Sequence, residues 1–362
     1  MSYLWVDKYR PKSLNELNHT PELTTKLSNL SADQNINNIP NILIYGPNGS
    51  GKKTRVMALL NRIYCNDSNH VFKLKIDVRE FKVNSRNLEI NVVSSPYHIE
   101  ITPSDLGYSY DKIAIQQIIK ELGSVAHQFV VNNKSTVKFK TIIINDANKL
   151  SKDAQHALRR TIEKFSKNIR IIMVCETLSN IIDPIRSRML NIRLSSPSRE
   201  EFDEIVIKVC QKENILYSDK FLSKLDNVCK KNIRLGLLTL ENMAVLKNFD
   251  LSGNDINVMK PDWLMCIDKI CLLAVKNSTV ETILTIRGIF YDLIAHCIPA
   301  DLILQRIIMW VLENGEFMNI KPNAIIKIIE YGSIYDERMK LGSKDIFHLE
   351  GFITKMILET SN

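Results

Sequence analysis

Residues 41–64 read NILIYGPNGSGKKTRVMALLNRIY, and the pattern of the chain changes within them. Asn41 to Gly46 is a short apolar run ending in glycine, which predicts a buried strand entering a tight turn. From Lys52 onward Val56, Leu59, Leu60 and Ile63 recur at helical spacing, which predicts a helix. Strand, glycine-rich turn and helix form the setting in which G-x-x-x-x-G-K-[S/T] cradles phosphate. Glycines let successive N–H groups and a helix N-terminus converge on the anion, the lysine reaches the outer phosphates, and the hydroxyl ligates Mg²⁺. Here Gly46, Pro47, Asn48, Gly49, Ser50, Gly51 and Lys52 keep the cradle, but Lys53 stands where the hydroxyl belongs. Sliding the register to Thr54 fails, because position 52 would then have to be glycine. The loop therefore predicts a site for ATP or ADP over residues 46–54. Mg²⁺ stays open at this site, since an ammonium cannot ligate a metal but can replace part of its charge.

Further strands read outward from this centre. VFKLKIDV (71–78) and EINVV (89–93) are strand-like, and Ser94-Ser95-Pro96 turns into YHIEI (97–101), suggesting a sheet strand with an inserted hairpin. KTIIIND (140–146) and IRIIMVCET (169–177) are buried strands ending in polar residues. Between the strands, residues 111–129 have Ile115, Ile118, Ile119 and Leu122 on one side, as an amphipathic helix would. Ser151 can cap a second helix whose Ala154, Ala157, Leu158, Ile162 and Phe165 line one face. Apolar strands alternating with helices predict an α/β fold, a parallel doubly wound sheet with its ligand at the strands' C-terminal ends. Pro197 closes that region, Ser198 is a candidate cap for the next helix, and from Asp262 onward the chain reads as helix. The expected domains are residues 1–196, 197–254 and 255–362.

The chain has 362 residues, 45% of them hydrophobic, and a formal net charge of +8, which permits a polyanionic partner without requiring one. Lys134 to Arg170 holds ten Lys/Arg against three Asp/Glu, just after the nucleotide loop in the expected sheet. No apolar run is long enough for a membrane span, so no membrane association is expected. The seven cysteines lack zinc-type spacing, and His296 and Cys297 are expected inside a long amphipathic helix without partner ligands; no metal site is assigned.

A hydrolysing phosphate site places two acids at the end of its second strand, one to hold Mg²⁺ through water and one to activate the attacking water. This chain has Asn145, which lacks the charge, and Asp146, one methylene short. With Lys53, these departures predict binding without hydrolysis.

Taken together, WVDKYRPKSLNEL (5–17), YGPNGSGKKTR (45–55), SSPYHIEITPSD (94–105), LSKDAQHALRRTIEKF (150–165), PIRSRM (184–189) and AHCIPADLIL (295–304) resemble the small subunits of replication factor C, the eukaryotic sliding-clamp loader. The resemblance is nearest to the arc-end subunit with a degenerate nucleotide site. It implies an AAA+ module, a helical lid and a helical collar that holds a pentamer together. It also implies four other loader subunits, a ring-shaped clamp, primer–template DNA and alternative large subunits as partners, and a nuclear location. By the same resemblance Val6, Tyr9, Arg10 and Pro11 close over the adenine, Arg234 approaches the phosphates, and Arg188 is an arginine finger acting in the neighbouring subunit's site. Glu176 falls where active subunits carry an uncharged polar sensor, a further departure. Lys112, Lys149 and Lys152 are the expected DNA contacts, and residues 118–130 the clamp-docking element. The alternatives are an autonomous P-loop ATPase and a nucleotide-free scaffold.

Overall fold

The computed structural model of the chain describes residues 4–17, 19–32, 36–65, 74–83, 86–106, 110–119, 137–166, 168–253, 257–276, 279–318, 320–342 and 344–361. It divides into two compact units, Met1–Val258 and Met259–Asn362.

The first unit begins with a short helix α1 (Trp5–Lys8) and α2 (Pro21–Leu30). Strand β1 (Ile42–Tyr45) then leads through the glycine loop into α3 (Lys52–Cys65), as the switch of periodicity predicts. A hairpin follows, β2 (Lys75–Val83) and β3 (Arg86–Ser94), and then β4 (His98–Ile101) and α4 (residues 111–119). The alternation continues with β5 (Lys140–Ile144), α5 (Lys152–Lys164), β6 (Ile169–Cys175), α6 (Asp183–Arg186) and β7 (Leu190–Arg193). The seven strands are ordered β2-β3-β4-β5-β6-β1-β7.

Five of them, β4 to β7 with β1, are parallel, while β3 pairs antiparallel with both β2 and β4. The antiparallel edge is the inserted hairpin that the sequence suggests beside a parallel sheet. Only Ser95, Pro96 and Tyr97 separate β3 from β4, and a parallel return needs a crossover of a dozen or more residues.

Strand alternation sends successive side chains to opposite faces. Leu43, Ile99, Ile101, Ile142, Ile144 and Met173 pack with α4 and α5, burying Ile115, Ile118, Ile119, Ala154, Leu158 and Ile162. Ile42, Ile44, Ile143, Ile172 and Val174 face α3, with Val56, Leu59, Leu60 and Ile63. Each fully buried Leu or Ile contributes about 1.5–3 kcal/mol, so these two layers fix the sheet that carries the loop.

The predicted caps form. Ser151 Oγ accepts from the Ala154 N–H at 3.1 Å. Ser198 opens α7 (Arg199–Lys212) in a capping box with Glu201. α7 packs with α8 (Asp219–Cys229) and α9 (Ile233–Leu246) around Phe202, Val206, Phe221, Leu225 and Leu240. Trp5 joins that cluster, so the N-terminal arm docks on these three helices. A two-stranded pair, β8 (Leu216–Tyr217) and β9 (Asp250–Leu251), closes them.

The second unit is helical: α10 (Asp262–Lys276), α11 (Val280–Ala295), α12 (Ala300–Asn314), α13 (Pro322–Leu341) and α14 (Asp345–Ser361), around Ile270, Phe290, Ile307, Ile328 and Phe352. The expected continuous helix across His296 and Cys297 is interrupted. His296 ends α11, and Cys297 takes a left-handed φ of 58° before Pro299 and α12. Among the described residues no helix is long and apolar enough to cross a membrane.

Candidate nucleotide-binding site

The loop joins β1 to α3 at the C-terminal edge of the sheet. Gly49 and Gly51 adopt φ of 75° and 86°, a region open to glycine but strained for other residues. A Cβ on Gly46 would lie 1.9 Å from the Leu194 carbonyl oxygen. The Gly49 carbonyl accepts the Ile233 N–H at 3.2 Å, which seats the start of α9 on the loop.

A cavity of about 410 Å³ opens beside it. Gly49, Ser50, Gly51 and Thr54 form one wall, Val6, Tyr9, Arg10 and Pro11 a second, and Lys208, Lys212, Arg234 and Leu237 from α7 and α9 a third. Nine of the residues expected to bind nucleotide thus share one cavity. The Tyr9 hydroxyl donates to Glu213, and the Lys212 ammonium lies 5.3 Å from the centre of the Tyr9 ring, which fastens the arm to the end of α7.

Lys52 is buried, and its Nζ donates to the carbonyls of Gly46 and Pro47 at 2.7 and 2.9 Å. Burial pushes its pKa down and the nearby Glu176 carboxylate opposes the shift. Asn48 Nδ2 donates to Glu176 Oε1 at 2.5 Å, so the carboxylate at the end of β6 contacts the loop itself.

Lys53 points away from this cavity, toward β4. Its Nζ pairs with Glu100, a carboxylate with only 6% of its side chain exposed. Asn145 Nδ2 donates to the same oxygen, Glu100 Oε1, at 2.6 Å. Strand register explains the meeting: Ile101 lies beside Ile144, and the Asn145 N–H reaches the Ile101 carbonyl at 2.9 Å. Glu100 therefore points to the α3 face while Ile99 and Ile101 point to the other. Glu100 is absent from the residues expected from sequence, although a lone acid within the apolar run YHIEI is a signal. Asp146 has a left-handed φ of 47° and lies 3.6 Å from Lys149.

Arg55 is a second unexpected participant. Its side chain is fully buried and donates to Thr24 Oγ1 at 2.9 Å, Thr20 Oγ1 at 2.6 Å and the His19 carbonyl, which ties residues 19–24 to α3 beside the cavity. Desolvation lowers its pKa to about 10. A basic residue within the buried stripe of α3 was the visible signal.

Arg188 lies outside the cavity. Its Nε binds Glu163 Oε1 at 2.7 Å and its Nη1 donates to the Pro184 carbonyl at 2.8 Å, while Arg186 pairs with Asp183. Lys112, Lys149 and Lys152 are exposed. Asp111, buried at the start of α4, accepts the Lys112 N–H at 2.7 Å, the Ser151 N–H at 2.7 Å and the Ser151 hydroxyl at 3.0 Å. One carboxylate thereby holds the N-termini of α4 and α5 together. Of the expected clamp-docking element, Ile118 and Ile119 are buried in the core and 120–130 lie outside the described residues, as does Leu122. Among the described residues no group of three or more His, Cys, Asp or Glu side chains is arranged to hold a metal.

The family model described as "Replication factor C subunit 3, C-terminal domain" matches residues 263–362, and "RCF1/5-like, AAA+ ATPase lid domain" matches 204–245. "DNA polymerase III, delta subunit" matches residues 20–198. Replication factor C subunit 5 of Saccharomyces cerevisiae is 48% identical over 98% of both chains. Probable replication factor C subunit 3 of Dictyostelium discoideum is 37% identical over 98% of this chain and 97% of its own. Replication factor C subunit 5 of Schizosaccharomyces pombe is 38% identical over 97% and 94%.

Proposed function

The chain belongs to the replication factor C clamp-loader subunits, and from that premise we propose that it binds ATP or ADP without hydrolysing it and serves a neighbouring ATPase site. Its fold is the AAA+ P-loop module with a helical lid, followed by an all-helical region. The three-way division at 1–196, 197–254 and 255–362 assigns nucleotide binding, lid and collar in turn.

The observation that carries this reading is the single cavity shared by the glycine loop, the Tyr9–Pro11 arm and Arg234. Three walls of different chemistry suit a nucleotide: loop amides for phosphate, the arm for the base, and a guanidinium for charge. Hydrolysis lacks its apparatus. The expected metal ligand is an ammonium paired with Glu100, and Asn145 donates to that same carboxylate. Asp146, one methylene shorter than the usual glutamate, lies 3.6 Å from the Lys149 ammonium.

Arg188 sits on the surface, held by Glu163 until a competing anion arrives. In the assembled loader that anion is the nucleotide of the adjoining subunit, whose developing phosphate charge an arginine stabilises. Lys112 and Lys152, at paired helix N-termini, together with Lys149, follow a DNA backbone. Such contacts position the duplex without reading its sequence and weaken with salt. The remaining partners are four loader subunits, alternative large subunits and the ring clamp, and the work is clamp loading at primer–template junctions for replication and repair in the nucleus.

The test is Arg188→Ala in a reconstituted five-subunit loader. Turnover at the adjoining site falls by roughly a thousandfold, while the pentamer assembles and this chain keeps its nucleotide. Unchanged turnover removes the finger. Failure of the purified chain to retain ADP or ATP removes nucleotide binding.

A further inference from the structure

P-loop sites ordinarily bind nucleotide as a complex with Mg²⁺, which a loop hydroxyl and a strand-end carboxylate hold in place. The residues present here do not fit that ion. At the hydroxyl position stands Lys53, whose ammonium has no lone pair, and it is drawn onto Glu100. At the carboxylate position stands Asn145. An ionised carboxylate only accepts hydrogen bonds, so Asn145 turns its NH₂ toward Glu100 Oε1, 2.6 Å away.

Glu100 is the centre of this arrangement. It is 5% exposed, and a buried carboxylate is costly unless it is paired and hydrogen-bonded. Two donors, one on α3 and one just past the end of β5, converge on one of its oxygens. Both groups that stand at the metal-ligand positions are therefore donors, and both are already engaged. A divalent ion entering here would have to separate the Lys53–Glu100 pair and would meet the Lys53 ammonium at close range.

We infer that the Lys53–Glu100–Asn145 cluster excludes the metal, so that this subunit binds nucleotide without Mg²⁺. The inference rests on the nucleotide-binding reading above. The phosphates are then held by the loop amides, Lys52 and Arg234, while both metal-ligand positions carry donors already engaged with Glu100. The nucleotide at this subunit consequently stays bound when Mg²⁺ is withdrawn.

The full-length chain, stripped of nucleotide, is titrated with ADP by calorimetry, in millimolar Mg²⁺ and again in excess EDTA. The expected affinity in EDTA equals or exceeds that in Mg²⁺, because free ADP no longer competes with its own metal complex. A loss of more than about threefold on metal removal overturns the inference. The variant Lys53→Thr/Asn145→Asp restores the hydroxyl and the carboxylate, and its binding weakens more than about threefold in EDTA. If this variant folds, judged by its melting profile, and stays indifferent to Mg²⁺, the cluster is not what excludes the metal, and the inference falls. The wild-type comparison stands whether or not the variant folds. ADP binding in neither buffer removes the nucleotide-binding reading and this inference with it, whereas binding that requires Mg²⁺ removes this inference alone.

Discussion

Acidification should destabilise the sheet beside the nucleotide loop through one residue, His98. It lies on β4 two positions before Glu100, so both side chains point to the α3 face, and it is 1% exposed. Its Nδ1 is 2.6 Å from Ser95 Oγ. Burial pushes its pKa from 6.5 to about 4; Glu100 opposes the shift and Lys53 adds to it. Because the folded value lies below the unfolded one, the unfolded chain binds the extra proton between these two values. Stability is thus complete above the ordinary histidine pKa and is lost as the pH falls toward the folded value. The full difference is on the order of 3 kcal/mol, of which about 2 kcal/mol falls between roughly pH 7 and pH 5. Amide hydrogen exchange of Thr141–Ile144, where β5 pairs with β4, reports the opening of this region. Other groups also titrate, so the decisive quantity is the difference from His98→Asn, which can keep a hydrogen bond to Ser95 but cannot take up a proton. The wild-type chain should lose about 2 kcal/mol more than the variant over that range. Equal losses, within about 0.5 kcal/mol, would refute the argument that this face of the sheet is dry enough to exclude the imidazolium.

Two further substitutions probe the loop and the lid. Gly49→Ala places a Cβ 1.7 Å from Asn232 Oδ1 at a φ of 75°, where Asn232 caps α9 by accepting from Leu235; backbone strain and the displaced cap together should cost about 2 kcal/mol. Chemical denaturation measures that cost, ADP affinity should fall with it, and adding Asn232→Gly should relieve the steric part. Ser198→Ala removes one half of the capping box at the start of α7 and should lower stability by about 1 kcal/mol. That loss is read from urea unfolding, and a neutral result would mean that solvent replaces the cap.

The elements that were legible in the sequence are those fixed by local chemistry. The run 41–46 and its glycines specify a strand and a turn within a dozen residues, and Ser151 and Ser198 cap through bonds to residues three positions away. The hairpin at the sheet edge was legible because Ser95-Pro96 leaves room only for a reversal. The break at Cys297 was also signalled, since Pro299 disfavours helix at the residue before it, yet the apolar periodicity on either side concealed it. Arg55 and Asp111 were not legible as they act. The place of Arg55 in the apolar stripe of α3 signals burial, but its partners at 19–24, like Ser151 for Asp111, come from segments distant in sequence.

Glu100 carries this point furthest. In sequence, Lys53 looks like the loss of a metal ligand and Asn145 like the loss of an acid, two departures linked only by the catalytic apparatus they share. The sheet order places β4 beside β5 and gives both residues one partner. A carboxylate buried to that depth would be expensive alone, and an ammonium at the mouth of a phosphate loop with no counter-charge would be free to move toward the ligand. Paired and hydrogen-bonded, the buried carboxylate is compensated and the ammonium is held in place. On the proposed reading, the pair lets the loop keep its cradle without a metal. Gly49 and Gly51 line the cavity and Lys52 donates to the loop carbonyls, whereas Lys53 is turned toward β4. In the function proposed here, binding and hydrolysis fall to adjacent residues facing different partners, so one can be dismantled without the other.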